Sequence, residues 1–194
     1  MNQSQKQLIE QLAAAEIRQS FAFIKNQTDE AQKDIAAYYF YLVDDFFAVG
    51  NAAITHQDFE NWQKSETDPD YNGILNAIWS GECEIYEGDF VPISQTPENW
   101  LDGQTPLYKE AYLLVEGLDD YDRYNQIRSD FEQCLINALK KCDAEGVFGN
   151  RTENKMLVFA FYIDDYDENG ENSVLYRSAK ALNDEAGQKQ LISL

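Results

Sequence analysis

The sequence predicts one α+β domain over residues 1–194, with a small, mainly antiparallel sheet packed by amphipathic helices. Three observations carry that expectation. Two short apolar runs, in Tyr39–Phe46 (YFYLVDDF) and the first half of Lys155–Gly170 (KMLVFAFYIDDYDENG), are rich enough in aromatic and β-branched residues to be buried strands. Asp122–Glu145 repeats apolar residues at Tyr124, Ile127, Phe131, Cys134/Leu135, Ala138 and Cys142, a 3–4 spacing that places them on one helical face. The elements read α-β-β-α, an irregular middle, then α-α-β-α, an order that segregates helices from strands.

Taken in order, Ser4 is placed to cap a first helix running to about Lys25, with Ile9, Ala13, Ile17, Phe21 and Ile24 on one face. Thr28–Asp34 is polar, as a connection would be. Ala36–Val43 is the first strand and Phe46–Ile54 a second folded back on it, with Asp44 and Asp45 at the turn. Thr55-His56-Gln57-Asp58 opens like a capping box, with Asp58 in place of Glu, and starts a helix that carries Phe59 and Trp62 and ends before Pro69. Asp70–Trp100 mixes Gly, Pro and acids with aromatics; short strands at Glu84–Tyr86 and Phe90–Ile93 fit it, and so do long loops. Pro106–Gly117 is expected as a short helix with Leu107, Ala111, Leu114 and Val115 inward. The Asp122–Glu145 helix has Asp119, Asp120 and Asp122 at its positive end, Lys140 and Lys141 at its negative end, and Gly146 at the C′ position. The second buried strand follows, then a last helix over Ser173–Leu182 and a polar, flexible tail over residues 183–194.

At 194 residues and 44% apolar content, the chain can bury a substantial core. The opening MNQSQKQLIE is polar and lacks the apolar segment of a secretory leader, and no run approaches bilayer-spanning length. Three cysteines, Cys83, Cys134 and Cys142, lack metal-type spacing and fit reduced thiols of a cytoplasmic protein. Charge is the strongest compositional signal: 15 Lys+Arg against 35 Asp+Glu leave a net charge of −20. Residues 61–120 hold 2 cations and 13 anions, and Ser65–Tyr108 contains no Lys or Arg. Such a surface repels nucleic-acid phosphates and anionic membrane and attracts basic partners, although acidity also serves plain solubility.

Asp165, Asp167 and Asn169, followed by Gly170, match the opening of a calcium loop. Tyr176 falls where that loop needs a bidentate acid, and Asn172 occupies its aliphatic position, so an acidic turn after a strand explains the letters better. His56 is the only histidine, which removes His-rich zinc sites, and its place in a first helical turn suits a solvated cap residue. The paired acids Asp44/Asp45, Asp119/Asp120 and Asp164/Asp165 are what 35 acids produce by number alone, and neighbours along a strand face opposite ways. No phosphate-cradling glycine loop or nucleophile elbow occurs, and no catalytic residue or cofactor is expected. The cation-free middle is the best functional candidate. There Trp79, Tyr86 and Trp100 interleave with Glu82, Glu84, Glu87, Asp89 and Asp102, a composition suited to a basic protein partner. The competing reading is that these rings fill a core beneath loops.

Several landmarks together resemble the bacterial family known as domain of unknown function 4303. They are YYFYLVDD, the AAITHQDF segment, WSGECEIY with Cys83 where a second Trp is expected, the helix running into EGVFG, the strand ending DDYD, and the closing Ser178-Ala179-Lys180-Ala181-Leu182-Asn183. The resemblance covers nearly the whole chain and brings no reaction or catalytic residue with it. Some relatives look like members of toxin–immunity neighbourhoods, which implies an immunity-type binder. The leading expectation is therefore a non-enzymatic acidic protein that binds a basic partner and neutralises a toxin. An enzyme or divalent-metal protein using the acids at its strand ends is the alternative, and a DNA-mimic inhibitor the second.

Overall fold

The computed structural model describes residues 1–42, 49–68, 73–88, 105–162 and 170–192. Helix α1 (Gln3–Glu30) is capped by Asn2, not Ser4: the Asn2 side chain accepts from Gln5 N while the Gln5 side chain returns to Asn2 N. It also runs five residues past Lys25, because Thr28 is fully buried and keeps the last turn docked. Strand β1 (Ile35–Leu42) follows, and β2 (Val49–Thr55) pairs with it antiparallel. The expected turn at Asp44-Asp45 lies outside the described residues. Thr55 caps α2 (His56–Ser65) by accepting from Asp58 N.

The irregular middle contains a helix that residue patterning missed, α3 (Ile74–Ser80), stopped by Gly81 at φ 66°. A two-residue strand, β3 (Tyr86–Glu87), pairs antiparallel with β2. The strand expected at Phe90–Ile93 lies outside the described residues. Helices α4 (Pro106–Val115) and α5 (Tyr121–Ala144) match expectation, the latter capped by Asp120 and ended by Gly146 at φ 77°. A single turn, α6 (Arg151–Asn154), leads into β4 (Leu157–Tyr162), followed by α7 (Val174–Leu182). Residues 183–192 are not the polar tail expected but a docked helical end. Asp184 caps α8 (Glu185–Leu191), and Leu191 and Ile192 are buried.

The fold is α+β in a single domain, but the sheet is mixed rather than mainly antiparallel. Its order is β3-β2-β1-β4, and β1 and β4 run parallel in the register Ala37↔Leu157 to Leu42↔Tyr162. The physical reason is that every residue of β4 is buried, as parallel strands covered on both faces are. Alternate residues serve two cores. Tyr38, Phe40, Val158 and Ala160 face α1, α4 and α5, while Tyr39, Phe159 and Phe161 face α2, α3 and α8. On the second side the Tyr39 ring stacks on Phe159 with centroids 5.5 Å apart.

Helix α7 lies along the outer edge of β4 and closes it. Ser178 Oγ accepts from Ala160 N at 2.9 Å and lies 3.1 Å from Ala160 O. Asn183 accepts from Val158 N at 3.0 Å and donates to Val158 O at 2.7 Å. Two side chains thus supply what a further strand would have supplied. All three cysteines are free and buried. Among the described residues, no helix is long and apolar enough to cross a membrane.

Candidate functional site

The opposite edge of the sheet carries the residues that sequence singled out. After Gly81 the chain bends at Cys83 and runs into β3, with Cys83 and Tyr86 buried and Glu82, Glu84 and Glu87 exposed. The result is a same-sign rim along the short edge strand. Of the aromatic members of the predicted set, Tyr86 and Trp79 do not project from it. Tyr86 is only 9% exposed, and Trp79 is half-buried with its ring edge-on to Phe161 at 5.9 Å. Burial pushes the Cys83 thiol up to about 11, which favours the protonated form. The remaining predicted members, Asp89, Trp100 and Asp102, lie outside the described residues, as do the calcium-loop candidates Asp165, Asp167 and Asn169. Among the described residues, no three metal-ligating side chains converge.

A single cation organises the inner side of the rim. Lys33 Nζ donates to Asp58 Oδ1 at 2.8 Å, Glu84 Oε2 at 2.9 Å and the Tyr86 hydroxyl at 2.8 Å. The hydrogen bond to Asp58, with those to Glu84 and Tyr86, holds the Lys33 ammonium well above the usual lysine range. Asp58 is 8% exposed and also accepts from the Thr55 hydroxyl, so Lys33 fastens β3 to the start of α2. Glu84 is therefore partly neutralised. Glu82 and Glu87 form no ion pair among the described residues and carry the rim's free charge.

Two polar clusters escaped sequence reasoning. At the carboxyl end of β4, the 6%-exposed Glu132 accepts from Arg128 Nε at 3.1 Å, from the Tyr162 hydroxyl at 2.9 Å and from Arg177. The Arg128 guanidinium sits 4.2 Å from the Tyr162 ring centroid, and burial, with the Glu132 charge adding, keeps the Tyr162 proton in place. The signal was present as an Arg128/Glu132 pair at i,i+4 inside an otherwise apolar stripe. The second cluster joins Glu16, Ser20, Tyr38 and Asn51 beneath β3. His56 is not the solvated cap expected: Thr55 caps α2, and His56, half-buried in its first turn, places Nε2 2.9 Å from the Asn154 carbonyl and ties α2 to α6.

Neither described groove contains the predicted residues. One of about 650 Å³ lies between Lys155, Asn183 and α8, and its Arg151 is already bound to Asp143, Asn183 and the Met156 carbonyl. One of about 320 Å³ lies between α5 and α7, beside Lys140, Arg177 and Lys180.

The family model described as domain of unknown function (DUF4303) matches residues 9–184, and the chain belongs to that family. The match runs from the first buried turn of α1 to the cap of α8, taking in the whole sheet and the α7 seal. No curated protein and no solved structure matches the chain.

Proposed function

We propose that this member of a family without an assigned activity is a non-enzymatic binding protein that engages a basic protein partner through the β3 rim. An immunity-type neutraliser of a toxin would act in this way. The observation that carries the reading is the exposed row Glu82, Glu84 and Glu87, which leads into and along the two-residue strand β3, within a stretch free of cations. Same-sign charge at an edge deters pairing with another copy of the chain and attracts a positively charged surface. Its contribution falls mainly on association rate and is screened by salt. Affinity capture from the source lysate at low and high salt tests it, comparing the wild type with a Glu82→Lys/Glu87→Lys double variant. A basic partner retained only by the wild type and released by salt is expected. No partner, or one indifferent to salt and to the double variant, would overturn the reading. Competition by duplex DNA for the captured protein distinguishes a DNA mimic.

One observation favours a second reading. Strands β1 and β4 are parallel and end side by side at Leu42↔Tyr162, and in the sequence each is followed by one aliphatic residue and then paired aspartates. In open sheets with parallel strands, ligands gather at carboxyl ends. A divalent-metal protein would then gain thermal stability on titration with calcium or magnesium. A flat melting temperature with both ions would remove this reading.

A further inference from the structure

The α5–α7 groove reverses the charge balance of the chain around it. Overall the chain holds 15 cations and 35 acids, yet three cations, Lys140, Arg177 and Lys180, line this groove against one acid, Glu171. Each helix contributes one strip of residues. Ile136 and Lys140 stand one turn apart on α5, as Tyr176 and Lys180 do on α7. Ile136, which is buried, and the half-buried Tyr176 ring, packed against the second core, supply the apolar part of the lining.

The three cations are placed by different means. Arg177 donates from Nε to the Asn172 carbonyl at 3.1 Å and from Nη2 to the buried Glu132, which anchors its guanidinium. Lys180 Nζ stands 5.5 Å from the centroid of the Tyr176 ring, a contact that steadies it. Neither Lys140 nor Lys180 makes an ion pair among the described residues. Acids are abundant enough here that Lys6, Lys25, Lys33 and Lys189 each reach one. The helix dipoles explain only part of the arrangement. Lys141 and Lys180 stand in the last turns of α5 and α7, where a cation is favoured. Lys140 stands before the last turn of α5, and like Lys180 it lines the groove.

We propose that the α5–α7 groove binds the phosphate group of a small phosphate monoester, with Lys140 and Lys180 pairing with its oxygens. Arg177, anchored by Glu132, holds the α7 side of the site in place. Two ammoniums without a carboxylate match a dianion better than a single carboxylate ligand. A phosphate monoester carries a charge of about −1.5 to −2 at pH 7 and offers several strong acceptor oxygens. The volume of about 320 Å³ is at the small end of ligand sites, so it suits a compact molecule rather than a folded partner. The net charge of −20 opposes any anion at a distance, and recognition is therefore short-ranged. The site goes beyond the binding reading and does not depend on it. It lies beside β4, at the other end of the sheet from the β3 rim.

An NMR titration of the full chain tests the site. Phenyl phosphate replaces chloride at constant ionic strength, at about 0.15 M salt, where acids beyond about 8 Å are screened. The Ile136 and Ala181 amides should shift and saturate. Inorganic phosphate should bind more weakly, because it brings no ring to lie against Tyr176. A Lys140→Gln/Lys180→Gln variant should bind phenyl phosphate at least about tenfold more weakly. Both side chains are exposed, so the rest of its amide spectrum should match the wild type. Shifts that rise without saturating, an affinity unchanged in the double variant, or tighter binding of inorganic phosphate would each overturn the site. So would a hexaglutamate peptide that saturates the groove where phenyl phosphate does not. Glu82→Lys/Glu87→Lys should leave this binding in place, so the groove and the β3 rim stand or fall separately.

Discussion

The two edges of the sheet solve the same problem by opposite means. At β4, unpaired backbone groups are taken up by Ser178 and Asn183 from a helix laid along the strand. At β3, the strand is only two residues long and is bordered by exposed glutamates. One edge is sealed by hydrogen bonds, the other guarded by charge. The difference separates structural residues from candidate functional ones. The Ser178–Asn183 motif, part of what marks the family resemblance, has a full account in backbone satisfaction, whereas Glu82 and Glu87 make no ion pair among the described residues.

The comparison can be broken first at the sealed edge. Asn183→Ala leaves Val158 N and O unpaired and removes the Arg151 contact, and should destabilise by about 2–4 kcal/mol in denaturant unfolding. Ser178→Ala, which frees only the Ala160 groups, should cost about 1–3 kcal/mol. Neutral outcomes for both would show that α7 does not seal the strand. At the guarded edge, Lys33→Met leaves the nearly buried Asp58 without its cation and should cost about 1–3 kcal/mol. That loss should be smaller in a Lys33→Met/Asp58→Asn double variant, a coupling that a double-mutant cycle reads directly. The Glu82→Lys/Glu87→Lys variant should change stability by less than about 0.5 kcal/mol. A larger loss would assign the rim to the fold and weaken the binding reading.

Much of this architecture was legible because long periodic elements declare themselves. The α5 stripe, the β1 and β4 runs and the Thr55 cap are local patterns, and local energetics decide them. Helices α3, α6 and α8 were not legible. They are seven, four and seven residues long, too short to show a period, and α8 is polar except at its end. Strand direction failed for a different reason. The complete burial of Leu157–Tyr162 was the signal for a parallel neighbour, but the partner lies far away in sequence and no local pattern names it. For the candidate site, the outward acids were readable from charge alone. The inward turn of Tyr86 and Trp79 was not, because whether a ring among loops faces a core depends on what lies across from it. Lys33 illustrates the same limit: its three partners come from α2, the segment before β3 and β3 itself.

The parallel pairing of β1 with β4 also sets a schedule for synthesis. Ala37 finds Leu157 only after about 120 further residues have left the ribosome. At about 5–20 residues per second, that interval is roughly 6–24 s. Through it, one flank of an apolar central strand, IAAYYFYL, has no native neighbour, while β2 can close the other flank almost at once. The nascent chain therefore carries a sticky half-sheet for most of its translation. Chaperone dependence should accordingly be concentrated in truncations that stop short of Leu157.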